Sequence, residues 1–278
     1  MQVIGICRFS YPGEGGFQVE HRTLAERIAY LYAPERMAQR FASFETMTLP
    51  PLRAQSDADF TLLVVIGDSL PPEYRARLEH LLADLPQAVM VARPPGPHRQ
   101  VMQAAINEQR RIDGAPCLQF RMDDDDAVSV DFVAELRAAA QQVRGLLQRH
   151  RHVAIDFNQG YIARPGAPGL EVAPTQAPYT TAALALMLRP ELQLSVMNFA
   201  HRKLAQKMPT LTFTGRDMLI RGYNAFNDSR QKPGMKTPHL ALLDAAGERH
   251  IKARFNIDNE AVKRAFSPLQ EASSLRSR

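Results

Sequence analysis

The sequence predicts an α/β fold with a mostly parallel sheet flanked by helices, and three observations lead to this prediction. Short apolar runs without a helical period recur along the first half of the chain, as expected for strands buried on both faces. Amphipathic segments of helical length separate these runs. Strands that alternate with helices in this way form parallel sheets covered on both faces.

The first apolar run, QVIGICRF, predicts a buried strand over residues 2–9 that ends in the flexible loop SYPGEGG. Similar runs predict strands at 60–67, at 88–96 and in PCLQFRM. The segments between them predict helices in TLAERIAYLY, PERMAQRFASFETM, PPEYRARLEHLLADL and HRQVMQAAINEQRRI. The second of these helices has proline in its first turn, where proline is well tolerated.

After a helix in DFVAELRAAAQQVRGLLQRH, the alternation breaks. We expect strands in HVAIDFNQGYIARPG and at 182–188 with a Pro- and Gly-rich loop between them, then a helix in NFAHRKLAQKM. TLTFTG and DMLIRGY predict short strands or extended pieces, and 256–278 predicts a helix with a frayed tail. We expect a core over residues 1–200 and a basic part over 201–278 in the same domain.

Composition limits the class of protein. The chain has 278 residues, of which 45% are hydrophobic, and can bury a full-size core. Cys7 and Cys117 lie in separate apolar runs, which predicts buried free thiols in a reducing compartment rather than a disulfide framework. No apolar run is long enough to span a membrane and no charged leader precedes one, so we expect a cytoplasmic protein.

The formal net charge of +5 is unevenly distributed. From His201 onward the chain has 15 Lys and Arg against 7 Asp and Glu. This excess predicts an anionic partner or a membrane surface, and a solvated basic face is the alternative. Aromatic residues do not alternate with the basic ones as they do in nucleic-acid platforms, so we expect no nucleic-acid partner.

Four consecutive carboxylates, in RMDDDDAVS at 121–129, directly follow a predicted buried strand. Adjacent carboxylates repel one another unless a cation or a water-filled cleft relieves them. Arg8, Asp68 and Arg93 also follow predicted strands. Because ligands of such sheets bind beyond the carboxyl ends of the strands, we expect these residues to converge on one cleft.

Several segments together resemble a known family. They are FTLLVVIG followed by Asp68, the helix QVMQAAINEQRRI leading into a strand, and RMDDDDAVSVDF; MPTLTF and IRGYNAFNDS add to them near the C-terminus. The chain resembles GT-A fold, family-2-like glycosyltransferases, and among them the bacterial rhamnosyltransferases. The resemblance covers about residues 1–140 well and the rest loosely. It implies a GT-A-like sheet and transfer of a sugar, with rhamnose suggested, from a nucleotide-diphosphate donor to a glycan or other hydroxyl acceptor.

The resemblance also implies roles for individual residues. The donor-binding candidates are Arg8, Phe9, Asp68, Arg93, Arg99, Asp123 and Asp124. A divalent cation, Mn²⁺ or Mg²⁺, would bind Asp125 and Asp126 and stabilise the leaving diphosphate. His201 is a candidate third metal or phosphate ligand, although a packed or surface histidine is the alternative.

The resemblance implies that the reaction inverts the anomeric centre and that the basic part over 201–278 completes the acceptor side. An inverting reaction needs a carboxylate base on the acceptor side. Asp217, which follows TLTFTGR, and Asp156, inside HVAIDFN, are the two candidates. We also expect Arg216, Arg221 and Arg230 to lie near the donor phosphates or an anionic acceptor.

Two other functions remain open from the sequence. A nucleotidyltransferase that makes the sugar nucleotide uses a related sheet, but GEGG at 13–16 matches its phosphate loop only faintly. The non-enzymatic alternative is an anion-binding module in which the aspartates form an exposed turn.

Overall fold

The computed structural model describes residues 1–15, 21–111, 113–223 and 238–276, the side chains of 273–276 excepted. Its strands are β1 Gln2–Arg8, β2 Thr61–Gly67, β3 Ala88–Arg93, β4 Cys117–Asp123, β5 Ala127–Val128, β6 His152–Phe157, β7 Gln159–Gly166, β8 Gly169–Gln176, β9 Leu184–Leu188, β10 Thr210–Phe213, β11 Leu219–Gly222 and β12 Ala241–Leu242. Its α-helices are α1 Leu24–Leu31, α2 Pro34–Ser43, α3 Leu49–Arg53, α4 Pro72–Leu82, α5 His98–Gln109, α6 Phe132–Val143, α7 Ala245–Phe255 and α8 Asn259–Arg276.

The main sheet has seven strands in the order β10-β6-β9-β4-β1-β2-β3. Six of them are parallel, and β9 alone runs antiparallel to its neighbours β4 and β6. Helices of the first half of the chain pack on both faces of this sheet. The predicted α/β fold, with a mostly parallel sheet flanked by helices, is therefore confirmed.

The strand β1 shows why the sheet is buried on both faces. Val3 and Cys7 belong to the core cluster on one face, whereas Ile4 and Ile6 belong to the cluster on the other. All four side chains are buried. A continuous apolar run is what a strand needs when both of its faces pack against helices. Cys7 and Cys117 are buried free cysteines, as the sequence predicted.

A second sheet of five strands has the order β12-β8-β7-β11-β5. It packs against α7 and α8 through a third apolar cluster that includes Ile220, Phe255 and Phe266. The strand β8 corrects the sequence analysis, which predicted a loop between the strand at 152–166 and the one at 182–188. The glycines and prolines of this segment form the tight turn of a β7–β8 hairpin, in which Gly166 pairs with Gly169.

The segment Pro34–Arg53 is one helical unit in which a π-helical turn, Phe44–Thr48, joins α2 to α3. The helix predicted in NFAHRKLAQKM is present only as a short 3₁₀ helix, His201–Gln206. Among the described residues, no helix is long and apolar enough to cross a membrane.

Close packing of the second sheet predicts a sensitive position on β7. A Cβ atom on Gly160 would lie 1.9 Å from the carbonyl oxygen of Leu219 on the neighbouring strand β11. We expect Gly160→Ala to lower the free energy of unfolding by about 1–3 kcal/mol, because the backbone of β11 must move away.

The matched control is Gly145→Ala, where an added Cβ meets no atom within 4 Å. Urea denaturation should show a change below about 0.5 kcal/mol for this variant. Equal stabilities of the two variants would contradict the packing of β7 against β11.

Candidate active site

Two adjoining cavities open at the carboxyl ends of β1 and β4. The larger has a volume of about 340 Å³ and the smaller about 40 Å³. Four residues lie on the walls of both: Arg8, Asp123, Thr181 and Arg221. The carboxyl end of a parallel sheet is where such folds bind ligands, so the cavities mark the candidate active site.

Arg8 and Asp123 form the boundary between the two cavities. They are paired residues at the ends of β1 and β4, and Arg8 Nη2 lies 2.5 Å from Asp123 Oδ1. Burial disfavours the charged carboxylate, but the charge and hydrogen bond of Arg8 lower the pKa of Asp123 to about 2. This ion pair is therefore fully charged at neutral pH.

His98, the first residue of α5, contacts the other side of the Arg8 guanidinium. Its Nε2 lies 3.1 Å from Arg8 Nη1. Because arginine can only donate, His98 must present an unprotonated Nε2 to it. Burial, reinforced by the charge of Arg8, lowers the pKa of His98 to about 3. A neutral histidine and the Asp123 carboxylate together hold Arg8 in place.

Asp124 and Asp125 line the smaller cavity and are both buried. Arg40 of α2 lies 2.5 Å from Asp124 Oδ1 and 3.8 Å from Asp125 Oδ2. Arg36, one helical turn earlier, reaches Ser10 in the loop after β1 with a 2.9 Å hydrogen bond. The helix α2 thus brings two arginines to the carboxylate cluster.

Asp126 is buried and is bonded to the backbone of two strands. Its Oδ2 accepts from the backbone N–H of Asp123, and its Oδ1 accepts from that of Gly222, each at 3.1 Å. Burial, together with the charges of Asp125 and Asp123, raises the pKa of Asp126 well above its ordinary value. Both carboxylate oxygens are committed to holding the ends of β4 and β11 together.

The larger cavity is lined mainly by cations. Its walls include five arginines, Arg8, Arg99, Arg121, Arg202 and Arg221. Asp123, already paired with Arg8, is the only carboxylate among the described residues of these walls. The other four arginines therefore line the cavity without a carboxylate partner among the described residues of its walls.

Arg121 is the most deeply placed of these arginines. It extends from β4, and its buried Nε has no hydrogen-bond partner among the described residues. Burial lowers the pKa of Arg121 to about 10, so the side chain stays charged at neutral pH. A buried guanidinium nitrogen without an acceptor is costly, and such groups are typical of a site that binds an anion.

His201 and Tyr179 form another part of the wall of the larger cavity. His201 Nδ1 lies 2.8 Å from the carbonyl oxygen of Tyr179, so Nδ1 carries the proton and Nε2 is left as an acceptor. Burial, reinforced by Arg121, lowers the pKa of His201. The ring is therefore neutral at pH 7.

Asp156 lies behind this wall. It is fully buried, accepts from the Tyr179 backbone N–H and from Thr212 Oγ1, both at 3.0 Å, and does not line either cavity. Burial raises the pKa of Asp156 to about 6. In this structure Asp156 fixes the backbone of Tyr179, which has a φ of +62°.

Asp217, the other predicted base, lies before β11, whereas the cavities lie at the far end of that strand. Five residues of extended chain separate it from Gly222, a distance of roughly 15 Å. Its carboxylate accepts from Gln159, Tyr161 and His250. The adjacent Arg216 pairs with Asp131 and Glu135, away from both cavities. Arg230 lies outside the described residues.

Three predicted donor-binding residues lie near the site but outside the walls of both cavities. Phe9 is fully buried and packs against Phe41, with ring centroids 4.9 Å apart, so the structure places it in the core. Asp68 is exposed at the end of β2. Arg93 forms an ion pair with Glu108. Arg99, by contrast, lies on the wall of the larger cavity.

The sequence analysis did not identify Arg36, Arg40, Arg121 or Arg202 as site residues. Arg121 could have been recognised as the one charged side chain within the apolar run PCLQFRM. Arg36 and Arg40 are four residues apart and share a helical face with buried apolar residues, which is also unusual for arginine. No comparable signal exists for Arg202, which lies on a short exposed 3₁₀ helix.

A divalent cation needs a set of oxygen ligands, and the aspartates at 123–126 are the candidates to supply them. Among the described residues, no group of three or more His, Cys, Asp or Glu side chains is arranged to hold a metal ion. Asp126 is held by backbone N–H groups, and Arg40 lies beside Asp124 and Asp125. In this arrangement the carboxylates do not fit a dication. The metal role of Asp125, Asp126 and His201 stays a prediction.

Comparison with known families bears on the identity of the chain. Residues 2–236 match the family described as "Putative rhamnosyl transferase". The chain belongs to this family. The predicted resemblance is thereby confirmed, and the family's description agrees with the predicted class of enzyme, a glycosyltransferase. A search of curated proteins finds no match to the chain.

Solved structures with a similar fold include S. aureus TarS 1–349. Its complex with UDP-GlcNAc is 9% identical with a TM-score of 0.46, and the match covers 82% of this chain and 60% of TarS 1–349. The complex with UDP is 10% identical with a TM-score of 0.43, and covers 80% and 61%. The chain thus spans about three fifths of these TarS structures, and identities this low carry no information about its activity.

The pKa of His98 predicts a pH dependence of stability. Unfolding raises this pKa from about 3 to near 6.5, so between these values the unfolded chain takes up a proton that the folded chain does not. The free energy of unfolding should therefore fall more steeply on acidification in the parent than in His98→Gln. Between these pH values the two slopes should differ by about 1.4 kcal/mol per pH unit.

Urea denaturation of both proteins between pH 7 and pH 4 measures this difference. The raised pKa of Asp156 acts in the opposite direction, because the folded state then holds the proton, but both proteins share it. Parallel stability profiles of the two proteins would contradict a neutral, buried His98.

Proposed function

We propose that the chain is a glycosyltransferase that moves a sugar from a nucleoside-diphosphate donor to an acceptor hydroxyl. The observation that carries this proposal is the pair of adjoining cavities that share Arg8 and Asp123 at the carboxyl ends of β1 and β4. Their arginines suit a diphosphate, and their position suits a nucleotide. The family description supports the transfer of a sugar and suggests rhamnose.

The reaction needs three contributions from the protein. The bond between the anomeric carbon and the diphosphate oxygen breaks, and its electron pair passes to the diphosphate. A bond forms between the acceptor oxygen and the same carbon, and the acceptor proton passes to a base. The protein must therefore bind the diphosphate, stabilise its growing charge and accept a proton.

The arginine-lined cavity supports the first two contributions. The Arg8 guanidinium is fixed by Asp123 and His98, so it needs no rearrangement to donate hydrogen bonds to phosphate oxygens. Arg221 borders both cavities and can reach a ligand that spans them.

For the third contribution, the wall of the larger cavity offers His201. Its neutral ring keeps Nε2 free to accept a proton while Nδ1–H donates to Tyr179. Asp156 supports this arrangement because it holds the same residue, Tyr179, from behind. We propose His201 as the proton acceptor and retain Asp156 and Asp217 as the alternatives to be tested with it.

Donor use can be tested with the full chain and a panel of UDP-, dTDP- and GDP-sugars, by measuring release of the nucleoside diphosphate with and without Mn²⁺. We expect release from at least one donor, and Arg8→Gln should lower its kcat/KM by about 100-fold. The control Arg75→Gln changes an exposed arginine that pairs with Glu79 on the surface of α4. It should leave kcat/KM unchanged.

Release from no donor under either condition, with the chain folded, would refute the proposal. If Arg75→Gln lost as much activity as Arg8→Gln, the loss in Arg8→Gln could not be assigned to the wall that the two cavities share.

The base can be tested by single replacements. His201→Gln should lower kcat by about 100-fold or more, while nucleoside-diphosphate affinity stays within about threefold, because a base acts in the transition state. The parent's kcat should also fall on acidification as His201 takes up a proton, and the lowered pKa of His201 places this fall at a lower pH than for an ordinary histidine.

His80→Gln, at an exposed position of α4, is the matched control and should keep the parent kcat. If His201→Gln keeps kcat within tenfold and Asp156→Asn or Asp217→Asn does not, the base is that aspartate and the assignment to His201 is wrong.

A further inference from the structure

We propose that arginine side chains, chiefly Arg121 and Arg221, neutralise the diphosphate of the donor, so that donor binding requires no divalent cation. This inference rests on the function proposed above and concerns the means by which the same site holds its ligand.

The carboxylates of the 123–126 turn are already engaged by the protein. Arg8 pairs with Asp123, and Arg40 pairs with Asp124 and approaches Asp125. Both oxygens of Asp126 accept backbone N–H groups. A dication placed among these groups would meet the guanidinium of Arg40 and would have to displace existing partners.

The larger cavity, next to this turn, has an excess of positive charge. Arg99, Arg121, Arg202 and Arg221 line it, and none of them has a hydrogen bond or ion pair with another described side chain. The histidines on the same walls are neutral at pH 7 because burial lowers the pKa of each. Cations in a partly desolvated cavity repel one another, so the free protein is arranged for an anion.

Arg121 and Arg221 are the two arginines best placed to bind that anion. Both are half-buried, whereas Arg99 and Arg202 are exposed at the rim. Arg121 extends from β4, two residues before Asp123, and its Nε is buried without an acceptor. Arg221, on β11, borders the small cavity as well as the large one.

The chemistry of the leaving group suits this assignment. The donor diphosphate is doubly negative and becomes more negative when the bond to the sugar breaks and its electron pair passes to the diphosphate oxygen. Guanidinium groups donate paired hydrogen bonds to phosphate oxygens and keep their own protons throughout. Fixed guanidiniums can therefore stabilise this charge without a metal ion.

The decisive experiment is calorimetric titration of the full chain with UDP, dTDP and GDP, once with EDTA and once with Mn²⁺. We expect at least one nucleoside diphosphate to bind, with affinities in the two conditions that agree within about threefold. Titration with Mn²⁺ alone should show no binding.

Variants test the two arginines. With EDTA present, Arg121→Gln and Arg221→Gln should each weaken binding of the nucleoside diphosphate by about tenfold or more, the value expected for a charged hydrogen bond. Binding of the corresponding nucleoside should be unchanged, because it has no phosphate. Arg121→Lys keeps the charge and should bind better than Arg121→Gln, and Arg75→Gln should match the parent.

The outcomes separate this inference from the proposed function. Nucleoside-diphosphate binding that appears only with Mn²⁺ would overturn the inference and leave the proposed function standing. Metal-free binding that both glutamine variants retain in full would overturn the assignment of the arginines. No binding in either condition would overturn both. Thermal melting of each variant checks that it is folded.

Discussion

The buried carboxylate of Asp126 is the interaction on which the site depends. It accepts the backbone N–H of Asp123 at the end of the main sheet and that of Gly222 at the end of β11 in the second sheet. Thr48, in the helical unit of α2 and α3, donates to the Asp126 carbonyl oxygen at 2.8 Å. Three layers therefore meet at one residue, and the cavity walls they supply are held in a single arrangement.

Charge balance explains the rest of the site. On the acidic side, Arg8 and Arg40 compensate adjacent carboxylates that would otherwise repel one another. On the other side, four of the five arginines that line the larger cavity have no carboxylate partner among the described residues, because Asp123 is already paired with Arg8. In the smaller cavity the protein's own arginines pair with its carboxylates, whereas in the larger cavity the arginines are left to pair with a ligand. An anion site differs in this way from a stable salt-bridge network.

The pattern of apolar runs predicted the sheet because its strands are buried on both faces and must be apolar over their buried lengths, as β1 is over 3–7 and β2 over 62–67. The same reasoning failed at β8, where GLEVAPTQ contains no such run and only two of the eight residues are buried. Its partner β7 and the tight turn at Gly166 and Gly169 determine that it is a strand. A strand without a continuous apolar run depends on pairing with its neighbours, which no local pattern records.

The sequence by itself determined the α/β class, the succession of the first strands along the chain and the position of the aspartate run at the end of β4. These features depend on the local hydrophobic pattern. Only the tertiary structure decided which residues share a cavity. It brings Arg8, Arg121 and Arg221, which lie far apart in the chain, to the wall of one cavity, and it separates Asp217 from the cavities by the length of a strand. The physical reason is that strand pairing and helix docking are non-local. They place side chains from distant segments side by side, and no local pattern in the sequence records this.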